Sequence, residues 1–222
     1  MENQITRFHY RGSLKQEYTK NTDSLSAALA ECKTQVQGLI HAGKIMTAAL
    51  YYYKHMLFLY CEAIGEETRP EKYCSALTPY METFPGIEKS RIWADMYHIY
   101  YHAIPEGIED WKRPSTPALR RGRIAFLYPD KLYSYIYHHL NIVKEGLLTG
   151  DKYQSIALHE NILFSYFEEP KTIINIRRDL SLESKVIDDW LAVDPESHFI
   201  HLPECKGANF MFLPAYFALG AE

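Results

Sequence analysis

Several things are scarce or missing in this chain, and each absence argues against a class of function. The 222 residues include only four cysteines, Cys32, Cys61, Cys74 and Cys205, with no C-x-x-C pair. A disulfide-framed scaffold and a thiolate zinc site are therefore not expected, and reduced thiols in a cytoplasmic protein are the simplest reading. Neither sign of charge dominates: 24 basic against 28 acidic side chains give a net charge of −4. With no basic stripe, nucleic acid and anionic membrane surfaces are not expected partners. Long apolar runs are also missing, because Lys54, His55 and Glu62 interrupt the richest stretch, so no segment is expected to span a bilayer. The opening Met1-Glu2-Asn3-Gln4 is not a basic patch followed by an apolar run, and no secretory leader is expected. No G-x-G-x-x-G, P-loop or G-x-S-x-G motif occurs. His98 and His102, and His198 and His201, lack the carboxylate or thiolate companions of a metal site, so no metal is expected. Arg120-Arg121-x-Arg123 reads as a solvated basic cluster.

What the chain does have is tyrosine, 18 of them, and a repeat. Leu57-Phe58-x-Tyr60-x-Glu62 returns as Leu163-Phe164-x-Tyr166-x-Glu168, with the same order of predicted elements around each copy. Tyrosine combines a flat apolar ring with a hydroxyl, which suits both strands and pockets for polar, ring-shaped ligands.

The first half reads strand (5–11), helix (17–41), hairpin (46–53 and 56–64), helix and strand (93–103). Apolar residues at three- and four-residue spacing mark the first helix, and Gly43 stops it. Pro70 opens the second helix and Pro85-Gly86 closes it. The second half repeats this order: strand 122–128, helix 131–148, hairpin 153–158 and 161–168, helix 182–193 and strand 208–218. Asp130 is placed to cap its first helix, and Pro214 marks an edge position or a bulge in the last strand. Residues 105–121, rich in proline and charge, read as a linker. The expectation is an α+β protein with a first module at 1–104 and a second at 122–222. Each would be a ferredoxin-like β-α-β-β-α-β unit, the two closing into an intrachain dimeric α+β barrel. The hairpin strands are apolar or aromatic on both alternations, as strands covered on both faces are.

Helix 131–148 carries the sharpest chemical signal. Tyr135 and His139 lie four residues apart on a stripe of Leu132, Ile136, Leu140, Val143 and Leu147, so their side chains stack on one face and point toward the sheet. His138 is about 100° round the helix and is expected to look elsewhere. A phenol and an imidazole on an apolar face need either partners or a wet pocket. A core histidine bonded to a backbone carbonyl, beside a packed tyrosine, is one account; an acid/base pair is the other.

Tyr135-x-x-x-His139 with Glu145 resembles the first helix of L-rhamnose mutarotases, Tyr-x-x-x-His-x-x-x-x-x-Glu. The hairpin 155–168 is similar to that family's hairpin, and Thr78-Pro79-Tyr80-Met81 resembles the end of its Trp-Trp-x-Tyr-Met helix. The family consists of single ferredoxin-like modules that pair, so the resemblance implies a tandem fusion, a pseudo-dimer within one chain that can oligomerise further. It also implies cofactor-free anomer interconversion of a monosaccharide (an aldose 1-epimerase), with His139 and Tyr135 catalytic and Trp190, Tyr166 and Glu145 binding substrate. In the first half Tyr18 matches the tyrosine, but Thr22 and Ala28 replace the histidine and glutamate, and the paired tryptophans are missing. Other readings of the same architecture are a cofactor-independent monooxygenase or haem-binding protein, and a non-catalytic small-molecule-binding module.

Overall fold

The computed structural model describes residues 4–19, 22–146, 148–170, 177–178 and 182–221. In the first half of the chain the elements are β1 (Ile5–Ser13), α1 (Asp23–His41), β2 (Ile45–Tyr53), β3 (Met56–Ile64), α2 (Pro70–Tyr73), β4 (Ala94–Tyr101) and α3 (Ile108–Trp111). There follow β5 (Leu119–Leu127), α4 (Leu132–Glu145), β6 (Leu148–Thr149), β7 (Ser155–His159) and β8 (Ile162–Glu169). The chain ends with β9 (Arg177–Arg178), α5 (Lys185–Ala192), β10 (Phe199–Ile200), β11 (Met211–Phe212) and β12 (Ala215–Gly220). No helix among the described residues is long and apolar enough to cross a membrane.

This is a mixed α+β protein in which every pairing between named strands is antiparallel. It divides into two compact units: residues 1–96, 105–116 and 214–222 form unit one, and residues 97–104 and 117–213 form unit two. These bounds differ from a division at a linker. In unit one the strand order is β4 (its first three residues), β1, β3, β2, β12. In unit two β10 and β11 both flank β5, followed by β8, β7 and residues 97–101 of β4. Each unit thus takes the strand beside its hairpin from the end of the other half of the chain. Pro214 marks that transfer in the second half: β11 ends before it, and β12 leaves it with a register shift between Ala215 and Phe217. The continuous strand read over 208–218 is therefore two short strands in different units, because proline cannot donate to a ladder.

Each hairpin turns on two residues, and the first of each pair is a non-glycine with positive φ: Lys54 at 55° and Glu160 at 54°. The helices depart further from the sequence reading. α1 begins at Asp23, where Thr22 Oγ1 accepts a hydrogen bond from Leu25 N at 3.3 Å. Tyr18 lies before it in a single 3-10 turn. α4 runs from Leu132 to Glu145 and stops at Gly146, a left-handed cap with φ 72°. The helix read from Pro70 to Pro85-Gly86 is one α turn followed by a 3-10 stretch over Ser75–Tyr80. Thr78-Pro79 interrupts it, since the ring of Pro79 cannot continue an i→i−4 ladder.

Residues 105–116 are not a linker. α3 brings Trp111 to 0% exposure, and Arg113 follows it into the interior of unit one. Both meet Glu62, itself 0% exposed on β3. Trp111 Nε1 donates to Glu62 Oε1 at 2.8 Å, and Arg113 forms a two-pronged pair with the carboxylate at 2.7 and 2.8 Å. Tyr60, two residues along the same strand face, donates its hydroxyl to Glu62 Oε1 at 2.6 Å. Burial pushes the Glu62 carboxyl up, but the Arg113 charge and the four hydrogen bonds outweigh it and hold the group below its usual range.

The repeated motif acquires a physical meaning here. Tyr166 donates to Glu168 Oε1 at 2.7 Å, as Tyr60 does to Glu62, and in each unit an arginine stands directly across the ladder from the glutamate. Arg7 is in register with Glu62, and Arg120 with Glu168, the latter pair at 3.6 Å.

Candidate functional site

α4 of unit two buries Tyr135, His138, His139 and Ile142, while α1 of unit one buries Leu25, Ala28, Leu29 and Cys32 at identical spacing. The two helices open their units in the same way, each packing into the helix-side core of its own sheet. In α1 the face is wholly apolar apart from a thiol. Packing on such a sheet does not require a phenol and two imidazoles, so their presence in α4 calls for another reason.

The geometry around them is dense. Tyr135 and His139 stack face to face, centroids 3.8 Å apart and planes 18° from parallel. Trp190 of α5 sets its ring edge-on to both, at 5.7 Å from Tyr135 and 4.9 Å from His139. Tyr100 approaches His139 edge-on at 5.8 Å. His138 faces Trp190 at 5.4 Å and is 7% exposed, which corrects its expected outward placement. α5 packs alongside α4 and so widens the face that α4 buries. His198 completes the group at 4.9 Å from Trp190; it is held by Ser134 Oγ at 2.9 Å and by the Asp194 carbonyl at 3.2 Å.

His139 Nδ1 lies 2.9 Å from the Tyr135 carbonyl. A carbonyl only accepts, so this nitrogen carries the proton and Nε2 presents the lone pair. Among the described residues, no hydrogen-bond partner reaches Nε2. Burial pushes the imidazole down to about 4, against the raising effect of the carbonyl, and the neighbouring His138 and His198 push it further the same way. Burial raises the Tyr135 phenol above its usual range as well, with Arg123 opposing. At neutral pH both groups are therefore uncharged, His139 as a potential proton acceptor and Tyr135 as a hydrogen-bond donor. The His139 ring is 5% exposed and enclosed by Tyr135, Trp190 and Tyr100.

The remaining sequence candidates fall in different places. Trp190 joins the pair directly. Glu145 is at the end of α4, where its Oε2 accepts from Ser184 Oγ at 2.6 Å; the same Oγ accepts from Ile187 N and caps α5. Glu145 thus anchors the helix that carries Trp190. Tyr166 is not brought to the pair. Leu163 of β8 packs into the helix-side core with Tyr135, and Tyr166, three residues on, has the opposite parity. Thr22 is a helix cap, so Leu25 and Leu29, not Tyr18 and Thr22, are the unit-one counterparts of Tyr135 and His139. His102 receives or donates a bond with Tyr100 Oη at 3.1 Å, and no group of three metal-ligating side chains occurs among the described residues.

Sequence reasoning missed Tyr100, weighed His198 only as half of a metal pair, and read Arg123 as part of a solvated cluster. The last sits on β5 with its guanidinium 4.4 Å from the Phe210 ring and 5.2 Å from that of Phe167, which corrects the reading of its cluster as merely solvated. Strand alternation was the available signal: Arg123 shares a face with Ala125 and Leu127, both core residues.

No family model matches the chain, and no curated protein matches it in sequence. Among solved structures it is similar to a candidate monooxygenase from Lactobacillus acidophilus NCFM, with 5% identity, 98% of this chain and 97% of that chain covered, and a TM-score of 0.43. It is also similar to an anthrone oxidase-like protein (7% identity, 99% and 94% covered, TM-score 0.38) and to a candidate chlorite dismutase (11%, 94% and 94%, 0.38). None of the three is described as a mutarotase. At these TM-scores neither fold family nor activity transfers to this chain.

Proposed function

We propose that unit two is a cofactor-independent enzyme site for a conjugated small molecule bearing an acidic hydroxyl, and that His139 Nε2 accepts its proton. The observation that carries this reading is the contrast between the two opening helices: Tyr135, His138 and His139 stand where α1 needs only Leu25, Ala28 and Leu29. The aromatic walls of Tyr135, Trp190 and Tyr100 suit a flat ring, and access requires α5, none of whose residues is buried, to move with Trp190. The proton transfer leaves a conjugated anion beside an imidazolium, and each charge stabilises the other in a poorly solvated site. Such an anion is the electron-rich species that a cofactor-independent monooxygenase hands to dioxygen. We favour this over the mutarotase reading on shape: the rings of Tyr135, Trp190 and Tyr100 around His139 suit a flat conjugated body better than a polyhydroxylated sugar. Burial, which pushes the imidazole down, also favours a substrate hydroxyl more acidic than a sugar's. The tandem arrangement of two ferredoxin-like modules belongs to the same proposal; the shared Tyr–Glu pairs and opposed arginines support a duplication.

The test uses 4-nitrophenol, an acidic chromogenic phenol. Added to the intact protein below its own pKa, it should develop the yellow phenolate band in the wild type and lose it in His139→Asn. Equal bands in both proteins would remove His139 from the reading. Oxygen uptake with a panel of phenols and enols, abolished by the same substitution, would assign the oxygenase chemistry; anomer exchange of an aldose would restore the mutarotase.

A further inference from the structure

Five arginines among the described residues pair with carboxylates. On the same strand, Arg121 bonds Glu169 at 2.8 Å and Arg120 lies 3.6 Å from Glu168. In unit one Arg113 holds Glu62, and Arg69 and Arg91 hold Asp95. Arg123 differs: among the described residues no carboxylate reaches it. Its nearest polar contact is Ser165 Oγ, 3.4 Å from Nε. Burial holds the guanidinium below its usual pKa, with only a distant opposing influence from Tyr135. Arg123 is half-buried, and a partly desolvated cation with no carboxylate beside it is a group that a bound anion can offset.

The surroundings specify more than charge. Phe210 and Phe167 flank the guanidinium at 4.4 and 5.2 Å, and Phe212 stands 6.1 Å from Phe167. Phe212 is 56% exposed, and Arg121 lies over its ring at 5.7 Å. Phe210 packs against the same helix-side core that contains Tyr135. The arrangement is a fork of planar N–H donors with two aromatic rings against it and one apolar ring open to solvent. Planar donors match a carboxylate, and the rings match a flat body behind it.

We infer that Arg123, Ser165, Phe167, Phe210 and Phe212 form an anion subsite that takes the carboxylate of an aromatic acid. Arg123 makes the two-pronged contact, and Phe212 covers the ring. The inference deepens the proposed function, since it rests on unit two being a ligand site and gives the conjugated substrate a carboxylate anchor as well as an acidic hydroxyl.

Benzoate is the probe, titrated into the intact chain by calorimetry and compared with cyclohexanecarboxylate and inorganic phosphate. Benzoate should saturate, with the other two at least several-fold weaker. Arg123→Gln should weaken benzoate at least tenfold and Arg123→Lys by less, since a lysine keeps the charge and loses the fork. Thermal unfolding without ligand controls for folding: Arg123→Gln should unfold at or above the wild-type temperature, because it removes a half-buried charge that no carboxylate among the described residues offsets. Benzoate carries no acidic hydroxyl for a proton acceptor to take, so its titration reads the subsite alone, and a failure of the nitrophenolate test and a failure of the subsite are read separately. Unchanged benzoate affinity in Arg123→Gln, or phosphate binding as tightly as benzoate, would overturn the subsite.

Discussion

Replacing Arg113 with methionine removes the counter-charge of a carboxylate that has no water to turn to. Glu62 is 0% exposed and Arg113 5%, and the pair is held by two contacts of 2.7 and 2.8 Å. Breaking a buried pair from one side costs about 3–5 kcal/mol, because the remaining charge stays desolvated. Tyr60 and Trp111 still donate to Oε1, so the lower half of that range is expected, roughly 3 kcal/mol. The cost also depends on pH. Glu62 has a depressed folded pKa, so its contribution is complete above the unfolded carboxylate value, about 4.3, and is lost as pH falls through the lower folded value. Without Arg113, burial dominates and raises the carboxyl, which takes up a proton and limits the damage in acid. The assay is urea unfolding of wild type, Arg113→Met, Glu62→Leu and the double variant, followed by far-ultraviolet circular dichroism at pH 7 and pH 4. The double variant should recover most of the stability lost by Arg113→Met, since it leaves no charge buried. A loss below about 1 kcal/mol in Arg113→Met, or a double variant no more stable than that single one, would refute the reasoning.

His139 gives a pH dependence of the same direction in a higher window. Its folded pKa of about 4 lies below the unfolded value near 6.5, so the unfolded chain takes up a proton first and stability falls as pH drops from about 6.5 to about 4. The full difference is on the order of 3 kcal/mol, and His139→Asn should flatten the wild-type curve across that window; an unchanged slope would mean the imidazole is not held neutral. Thiol chemistry tests the core: Cys32, Cys61 and Cys74 are buried and Cys205 is not, so Ellman's reagent should titrate a single thiol rapidly in the native protein and all four in urea.

Much of the local architecture was legible. β1, both hairpins and the body of α1 follow from apolar periodicity, which depends only on whether side chains repeat every two or every 3.6 residues. Helix ends were less so. The extension of α1 back to residue 17 failed because Thr22 caps the helix, and that error displaced the comparison between the halves from Leu25 and Leu29 to Tyr18 and Thr22. The segment 105–121 failed for a different reason. Proline and charge make a stretch look like a linker, and nothing local reveals that Trp111 and Arg113 answer a carboxylate 49 and 51 residues earlier.

The candidate site divides along the same line. Spacing on α4 was sufficient to place Tyr135 and His139 together, and the Leu-Phe-x-Tyr-x-Glu core is seen to recur once in each half. The Tyr–Glu hydrogen bond inside that core is also local, two residues apart on one strand face. What surrounds these groups is not local. Whether His139 is wet or dry depends on Trp190, 51 positions later, and the lack of a carboxylate for Arg123 among the described residues depends on where β8 and Phe210 come to lie. Periodicity and short-range hydrogen bonding are properties of neighbouring residues, so the sequence alone determined the stripes and the pairs. Desolvation and charge balance depend on everything within a few ångströms regardless of chain distance, so only the tertiary structure decided which of those polar groups find partners.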